Sequence, residues 1–381
     1  MEQEVEEKSM PLTYKTLGAP RTICAMAPHH EDRYIVAGGE NGCFGIFDLD
    51  TSHFKNSIEH KHRYDASIWF EAKKSENDLS HYYDSTITSI ACSGDGRQIA
   101  SAATDAAICI WDIERSKVIH KLIAGSQGPY TSERPIAFHP TKSLLITSCW
   151  SGRIQLWDPK SGQLINEDSR NIRVKAYNSN WHARSYDSGS VSYSYDGSVL
   201  AFAQDVCRQI DKQDAVSIID TRNYMSCLAK NKPYPLEKHT KLNQIKTCLT
   251  LAWHPSQLLV ALGNGNKVSL WNAKTNFMQS ECEVPSHSLI KSLVWDPQEH
   301  YLASRNGHDI VSIWNVRTMK EQGIGRAINY HQFKSYFGSV LFSKAGGYLI
   351  ASCQKKIKVM PTEQFYAAFA SQEAKEKAAS D

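Results

Sequence analysis

Long apolar runs are missing from this chain. No stretch approaches the roughly 18 residues that a membrane-spanning helix requires, so no membrane association is expected. Cys-x-x-Cys pairs are missing too, although the 381 residues include ten cysteines, at 24, 43, 92, 109, 149, 207, 227, 248, 282 and 353. Several lie inside apolar strand-like runs, such as Cys109 in Ile108-Cys109-Ile110. This scatter argues against zinc and against a disulfide framework, and for small buried hydrophobes in a reducing compartment. There is no Gly-rich phosphate loop, no Gly-x-Ser-x-Gly elbow and no His-Glu-x-x-His. No enzymatic activity, cofactor or metal is therefore expected. Asn-x-Ser/Thr acceptors are also absent, which agrees with an intracellular site, nucleus and/or cytoplasm.

An excess of one charge is lacking as well. Lys+Arg number 43 against 40 Asp+Glu, a net charge of +3, so any nucleic-acid footprint must be local. The start, Met1-Glu2-Gln3-Glu4-Val5-Glu6-Glu7-Lys8, has no apolar core, and a secretory signal is not expected there.

What the chain does have is ordinary globular composition and a repeat. Hydrophobic residues make up 41% and charged residues 22%. Apolar/polar alternation, a turn, a strand rich in small residues, a polar turn and a short strand ending in an aromatic and Asp or Asn recur along its length. The clearest endings are Ile108-Cys109-Ile110-Trp111-Asp112, Ile154-Gln155-Leu156-Trp157-Asp158, Val268-Ser269-Leu270-Trp271-Asn272 and Val311-Ser312-Ile313-Trp314-Asn315. Weaker copies end at Phe47-Asp48, Ile219-Asp220 and Met360-Pro361. The shortest spacings match one four-stranded unit of roughly 40–45 residues, and the longer ones imply insertions.

This pattern resembles the WD-repeat β-propeller family over about residues 12–362. The resemblance implies an all-β, seven-bladed propeller forming a single closed ring. Residues 1–11 are then an acidic N-terminal tail, and 363–381 a charged C-terminal tail, helix or disorder. Closure by an outer strand from the chain start is implied, with Leu12-Thr13-Tyr14-Lys15-Thr16-Leu17 as the candidate. The family's buried His, Ser/Thr, Asp and Trp tetrad is nearest to complete in blade two, as Ser101, Asp105 and Trp111, with His81 as candidate histidine. Other candidate histidines are His239, His287 and His331, while Ser151, Gly265 and Gln354 replace the turn Asp in other blades. A satisfied core network, rather than catalysis, is expected of these groups.

Four insertions, 59–86, 168–187, 205–213 and 231–246, are expected to project from one face, where recognition loops on a rigid scaffold usually sit. Residues 170–186 hold four cations, three aromatics and no acid. Arg173, Lys175 and Arg184 could hold an acidic peptide or phosphate, with Trp181, His182 and Tyr186 beside them. Trp69 and Phe70 follow the basic stretch His60-Lys61-His62-Arg63-Tyr64, and Trp150 stands just before the turn position of blade three. These residues define an expected partner-binding face on a monomeric scaffold within a multiprotein complex. RNA is an alternative partner, because cations interleaved with aromatics suit single strands. A further alternative comes from Asp220-Thr221-Arg222 and Trp314-Asn315-Val316-Arg317. They are similar to the Asp-x-Arg box of cullin-4 ubiquitin-ligase substrate receptors, although one copy lacks Trp and the other lacks Asp. The Phe-Arg-Arg-Gly lipid motif of autophagy propellers does not occur.

Overall fold

The computed structural model describes residues 15–19, 22–42, 44–50, 54–58, 86–103, 107–115, 117–123, 136–148, 154–166, 190–203, 216–222, 240–242, 245, 248–283, 289–307, 310–316, 327–330, 339–365 and 367–371. Strand β1 (Lys15–Gly18) comes first and belongs to the last sheet. Blade one is β2 (Ile23–Pro28), β3 (Tyr34–Gly39), β4 (Phe44–Asp48) and β5 (Phe54–Ile58). Blade two is β6 (Ile87–Cys92), β7 (Gln98–Ala103), β8 (Ala107–Asp112) and β9 (Lys117–Ile123). Blade three is β10 (Ile136–Phe138), β11 (Leu145–Ser148), β12 (Ile154–Asp158) and β13 (Gln163–Asn166). Blade four is β14 (Val191–Tyr193), β15 (Val199–Ala203), β16 (Val216–Asp220) and β17 (Thr240–Lys241). Blade five is β18 (Cys248–Trp253), β19 (Leu259–Asn264), β20 (Lys267–Asn272) and β21 (Phe277–Glu283). Blade six is β22 (Ile290–Trp295), β23 (Tyr301–Asn306), β24 (Val311–Asn315) and β25 (Ala327–Tyr330). Blade seven is β26 (Val340–Phe342), β27 (Tyr348–Cys353) and β28 (Lys356–Pro361), with β1 added outside.

Every sheet is four-stranded and antiparallel; six are meanders, and the seventh takes its outer strand from β1. First strands of successive blades touch around the ring, and β26 touches β2, which closes the circle. The closing strand pairs Lys15 with Val359 and Leu17 with Ile357, so part of the expected Leu12–Leu17 segment holds the ring shut. Two further contacts strengthen that seam. Lys15 Nζ donates to the Leu49 and Asp50 carbonyls at 3.0 and 2.6 Å, and the Ala345 N–H donates to Asp32 Oδ1 at 2.6 Å.

The core lies between blades. Small residues in the second strands, Ala37, Ala102, Ala203, Ala261 and Ala303, are buried and let neighbouring sheets approach closely. Larger residues of the third strand and its neighbours fill each seam; Phe44, for example, meets Trp111 edge-on at 4.7 Å. The segment set apart from the ring as a charged tail begins with helical residues 363–365 and 367–371. Phe365 and Phe369, one helical turn apart, are buried against Tyr301 of blade six.

Antiparallel meanders define two rims. Connections from second to third strands, and from the outer strand to the next blade, leave from the upper rim. The other two kinds leave from the lower rim. Insertions 59–86 and 168–187 join outer strands to the next blade, and 205–213 joins β15 to β16, so all three start and end at the upper rim. The fourth expectation is corrected. Strand β17 falls inside 231–246, so the part before Thr240 joins β16 to β17 and belongs to the lower rim. A two-residue strand leaves no alternation in the sequence to mark it.

Candidate recognition face

The repeat motif explains itself in hydrogen bonds. The Trp111 Nε1–H donates to Ser101 Oγ at 2.9 Å in the core of blade two. The same bond recurs from Trp157 to Thr147 Oγ1 at 3.1 Å and from Trp314 to Ser304 Oγ at 2.8 Å. Blades three and six therefore carry this half of the network although the sequence singled out only blade two. The signal was there: a hydroxyl residue ten positions before each of these Trp residues. In blade five, Val260 faces Trp271 in the ladder, which puts Leu262 where the hydroxyl should be. Trp271 Nε1 is buried with no partner among the described residues. Asp105, His81, His239, His287 and His331 lie outside the described residues.

The Asp or Asn that ends five of the third strands works at the lower rim. Asp48, Asp112, Asp158, Asp220 and Asn272 each accept, through Oδ1, a backbone N–H from two or three residues further on, all at 2.9 Å. These are side-chain-capped turns. The turns between first and second strands are built likewise. His29 Nδ1 accepts from Glu31 N, His139 Nδ1 from Thr141 N and Lys142 N, His254 Nδ1 from Ser256 N, and Asp296 Oδ1 from Gln298 N. Burial, then the positive charge of Lys142, pushes His139 below the ordinary imidazole pKa. Its ring is clasped by Gly197 of the next blade, whose φ is +71 and where a Cβ would lie 2.3 Å from the imidazole.

That turn chemistry decides a metal question. Among the described residues, His29, His30 and Glu31 bring three ligand-type atoms within 4.8 Å of one another. But His29 Nδ1 accepts a backbone N–H, which leaves the ring proton on Nε2 and both nitrogens committed. His139 and His254 do the same at the equivalent turn, so the arrangement is a turn device rather than a ligand set. The described cysteines behave as packing residues. Cys24, Cys92, Cys109, Cys248 and Cys282 are free thiols, and burial pushes Cys24 and Cys282 up to about 11 and Cys92 up to about 12. Such thiols are poor nucleophiles.

The lower-rim Arg222 guanidinium is paired with its own Asp220, Nη2 to Oδ2 at 3.0 Å, in an exposed turn. Arg317 lies outside the described residues. The Asp-x-Arg likeness gains nothing from this geometry, because the pair closes its own turn.

The expected face falls on connections whose described ends stand at the upper rim. Trp150 belongs to the connection between Ser148 and Ile154 of blade three. Arg173, Lys175, Trp181, His182, Arg184 and Tyr186 belong to the connection between Asn166 and Val191, and Trp69 and Phe70 to that between Ile58 and Ile87. All nine lie outside the described residues. The upper rims of blades five and seven turn tightly instead, through Gly265 and Gln354, both with positive φ.

Comparison with known proteins agrees with this architecture. The family described as WD domain, G-beta repeat matches residues 74–112 and 136–158. No curated protein matches the sequence. Among solved structures, a chain in the crystal structure of the mitotic checkpoint complex is similar with a TM-score of 0.65 and 16% identity, covering 95% of this chain and 95% of that one. The Cps50 (Swd1) β-propeller domain of Myceliophteria thermophila is similar with a TM-score of 0.66 and 13% identity, covering 92% of this chain and 99% of that domain. At such identities the likeness is one of fold. The molecule is a seven-bladed β-propeller that carries WD40 repeats. Such propellers are generally non-catalytic scaffolds, and the fold suits protein interaction.

Proposed function

We propose that this propeller is a non-enzymatic scaffold whose upper rim captures a protein or peptide partner within an intracellular, nuclear or cytoplasmic, multiprotein complex. One observation supports it above others. Connections 59–86, 168–187 and 205–213 all start and end at the upper rim, and the 170–186 stretch within them is rich in cations and aromatics. A rigid ring presenting such segments loses little entropy when it captures a flexible partner. The free thiols suit a reducing compartment, and similar structures include subunits of complexes.

The test is affinity capture of the full chain followed by mass spectrometry, with Trp150→Ala and the Trp181→Ala/Arg184→Glu pair as variants. The proposal expects both to lose the captured partner while thermal unfolding stays nearly unchanged. Unfolding of those variants would make the residues core and remove the site. RNA capture that weakens steeply with salt would replace the peptide with a phosphate backbone as the ligand.

A further inference from the structure

Among the described outer strands, four carry a one-residue bulge at the same register. The residue left out of the ladder is Lys55 on β5, Ile119 on β9, Ile165 on β13 and Gln279 on β21. A bulged residue is set apart from its own ladder, so a polar side chain suits it. Blades one and five follow that rule; the adjacent blades two and three carry isoleucine instead. Ile119 is 37% exposed, Ile165 45%, and Val118 beside Ile119 is 39% exposed. The two blades are fixed to each other just there. The His120 ring lies over Gly162, and its Nε2 is 2.8 Å from the Lys160 carbonyl. The spacing of the two isoleucines is therefore set by the scaffold.

Charge surrounds this apolar pair. Lys117 and Lys121 on β9 and Lys160 in the blade-three turn are exposed. Lys117 and Lys121 have no hydrogen bond or ion pair through their side chains with described residues. Among the described residues the neighbouring acids are occupied or few: Asp112 pairs with Arg115, Asp158 accepts from Ser161 Oγ and Lys160 N, and Glu114 is the exposed described acid that remains. Blade five contrasts, for its Lys267 is paired with Glu281 at 2.9 Å.

The geometry points to a docking surface on the outer wall of blades two and three for an acidic amphipathic helix of a partner protein. The bulges interrupt the edge ladders and oppose strand addition. Two apolar knobs on separate strands fit an apolar helical ridge, and the lysines beside them fit its acidic flanks. The surface is separate from the upper rim and does not depend on it.

The test uses a fluorescein-labelled designed helix with Leu at i, i+3, i+4 and i+7 and Glu elsewhere, titrated against the full chain by fluorescence anisotropy. A second helix with Lys in place of Glu is the charge control. The Ile119→Gln/Ile165→Gln variant installs the residue blade five already tolerates at this register, and its unfolding temperature verifies the fold. The Glu helix should bind, the Lys helix should not, and the double variant should weaken binding by about tenfold or more, the loss expected of two apolar anchors. Trp150→Ala should leave this binding unchanged. The inference is overturned by no binding of the Glu helix, by equal binding of the Lys helix, or by equal affinity in the double variant. It is likewise overturned by a dimer in sedimentation velocity that the double variant dissolves, since the surface would then serve a second copy of this chain.

Discussion

Replacing Ser101 with Ala would remove the oxygen that accepts the Trp111 indole proton at 2.9 Å. Trp111 is 1% exposed, so water cannot take over. An orphaned buried donor costs about 1–3 kcal/mol, more than the bond itself contributes. Ser101→Ala should therefore lower stability by that amount, read as a shift in urea midpoint with an unchanged slope. The slope matters, because a changed slope would mean that the unfolding unit itself had changed. Trp111→Phe loses the donor together with indole volume, and Trp271→Phe supplies the control. Trp271 Nε1 has no partner among the described residues, so its replacement loses volume without losing a bond. Trp111→Phe should be worse than Trp271→Phe by about 1 kcal/mol. In the Trp111→Phe background, Ser101→Ala should cost less than it does alone, because the orphaned donor is gone. A harmless Ser101→Ala, or equal losses at 111 and 271, would refute the view that the hydroxyl partner stabilises these blades.

Four other outcomes follow from the same coordinates. Lys15→Met combined with Asp32→Ala removes the side-chain contacts across the closing seam, at about 1–2 kcal/mol per bond, and hydrogen exchange should then accelerate first in β1 and β28. Gly197→Ala places a side chain at φ +71 against the His139 ring and should cost about 1–2 kcal/mol or more, whereas Gly18→Ala, with open space around it, should be nearly neutral by thermal unfolding. His139 has its folded pKa below the ordinary 6.5, so the unfolded chain takes up the proton first. Stability should accordingly fall as pH drops below 6.5 and level off beneath the folded value; a His139→Asn variant should show a flatter Tm-against-pH curve through that window. Phe365→Ala should cost about 3–5 kcal/mol through the cavity left against Tyr301, and a smaller loss would mean that the 363–371 helix rests loosely on the ring.

The ring was legible because one alternation repeats along the chain and five blades close on an aromatic followed by Asp or Asn. Those Asp and Asn residues cap turns, so the motif persists where packing drifts. Other features were hidden for physical reasons. Thr147 and Ser304 sit in blades whose tetrads are incomplete in the sequence, yet the hydroxyl–indole bond stands without the other members. Strand β17 pairs only Lys241 with Ser217 and Thr240 with Ile218, too short for any periodicity, so 231–246 was read as one upper insertion. The helix at 363–371 announces its buried stripe by Phe365 and Phe369 alone, amid residues that suit a solvated tail. The candidate face was legible only as composition and spacing, since its contacts depend on side chains outside the described residues.

Loop length by itself says little about function. The 167–190 connection holds 24 residues. Closing such a loop instead of one of about five residues costs only ~1.4 kcal/mol by the logarithmic law, which a ring of seven mutually packed sheets absorbs. The uneven distribution carries more weight. Lower-rim turns are tied into the fold: His139 against Gly197, Asp32 beneath Ala345, and the capping Asp and Asn residues along their length. Lengthening such a turn would break bonds that hold adjacent blades, so most variation is confined to the upper rim. Two lower-rim connections, 223–239 after β16 and 317–326 after β24, are the exceptions. On this argument, upper-rim insertions are merely permitted by the fold, and only their chemistry, cations and aromatics without acids in 170–186, argues for recognition.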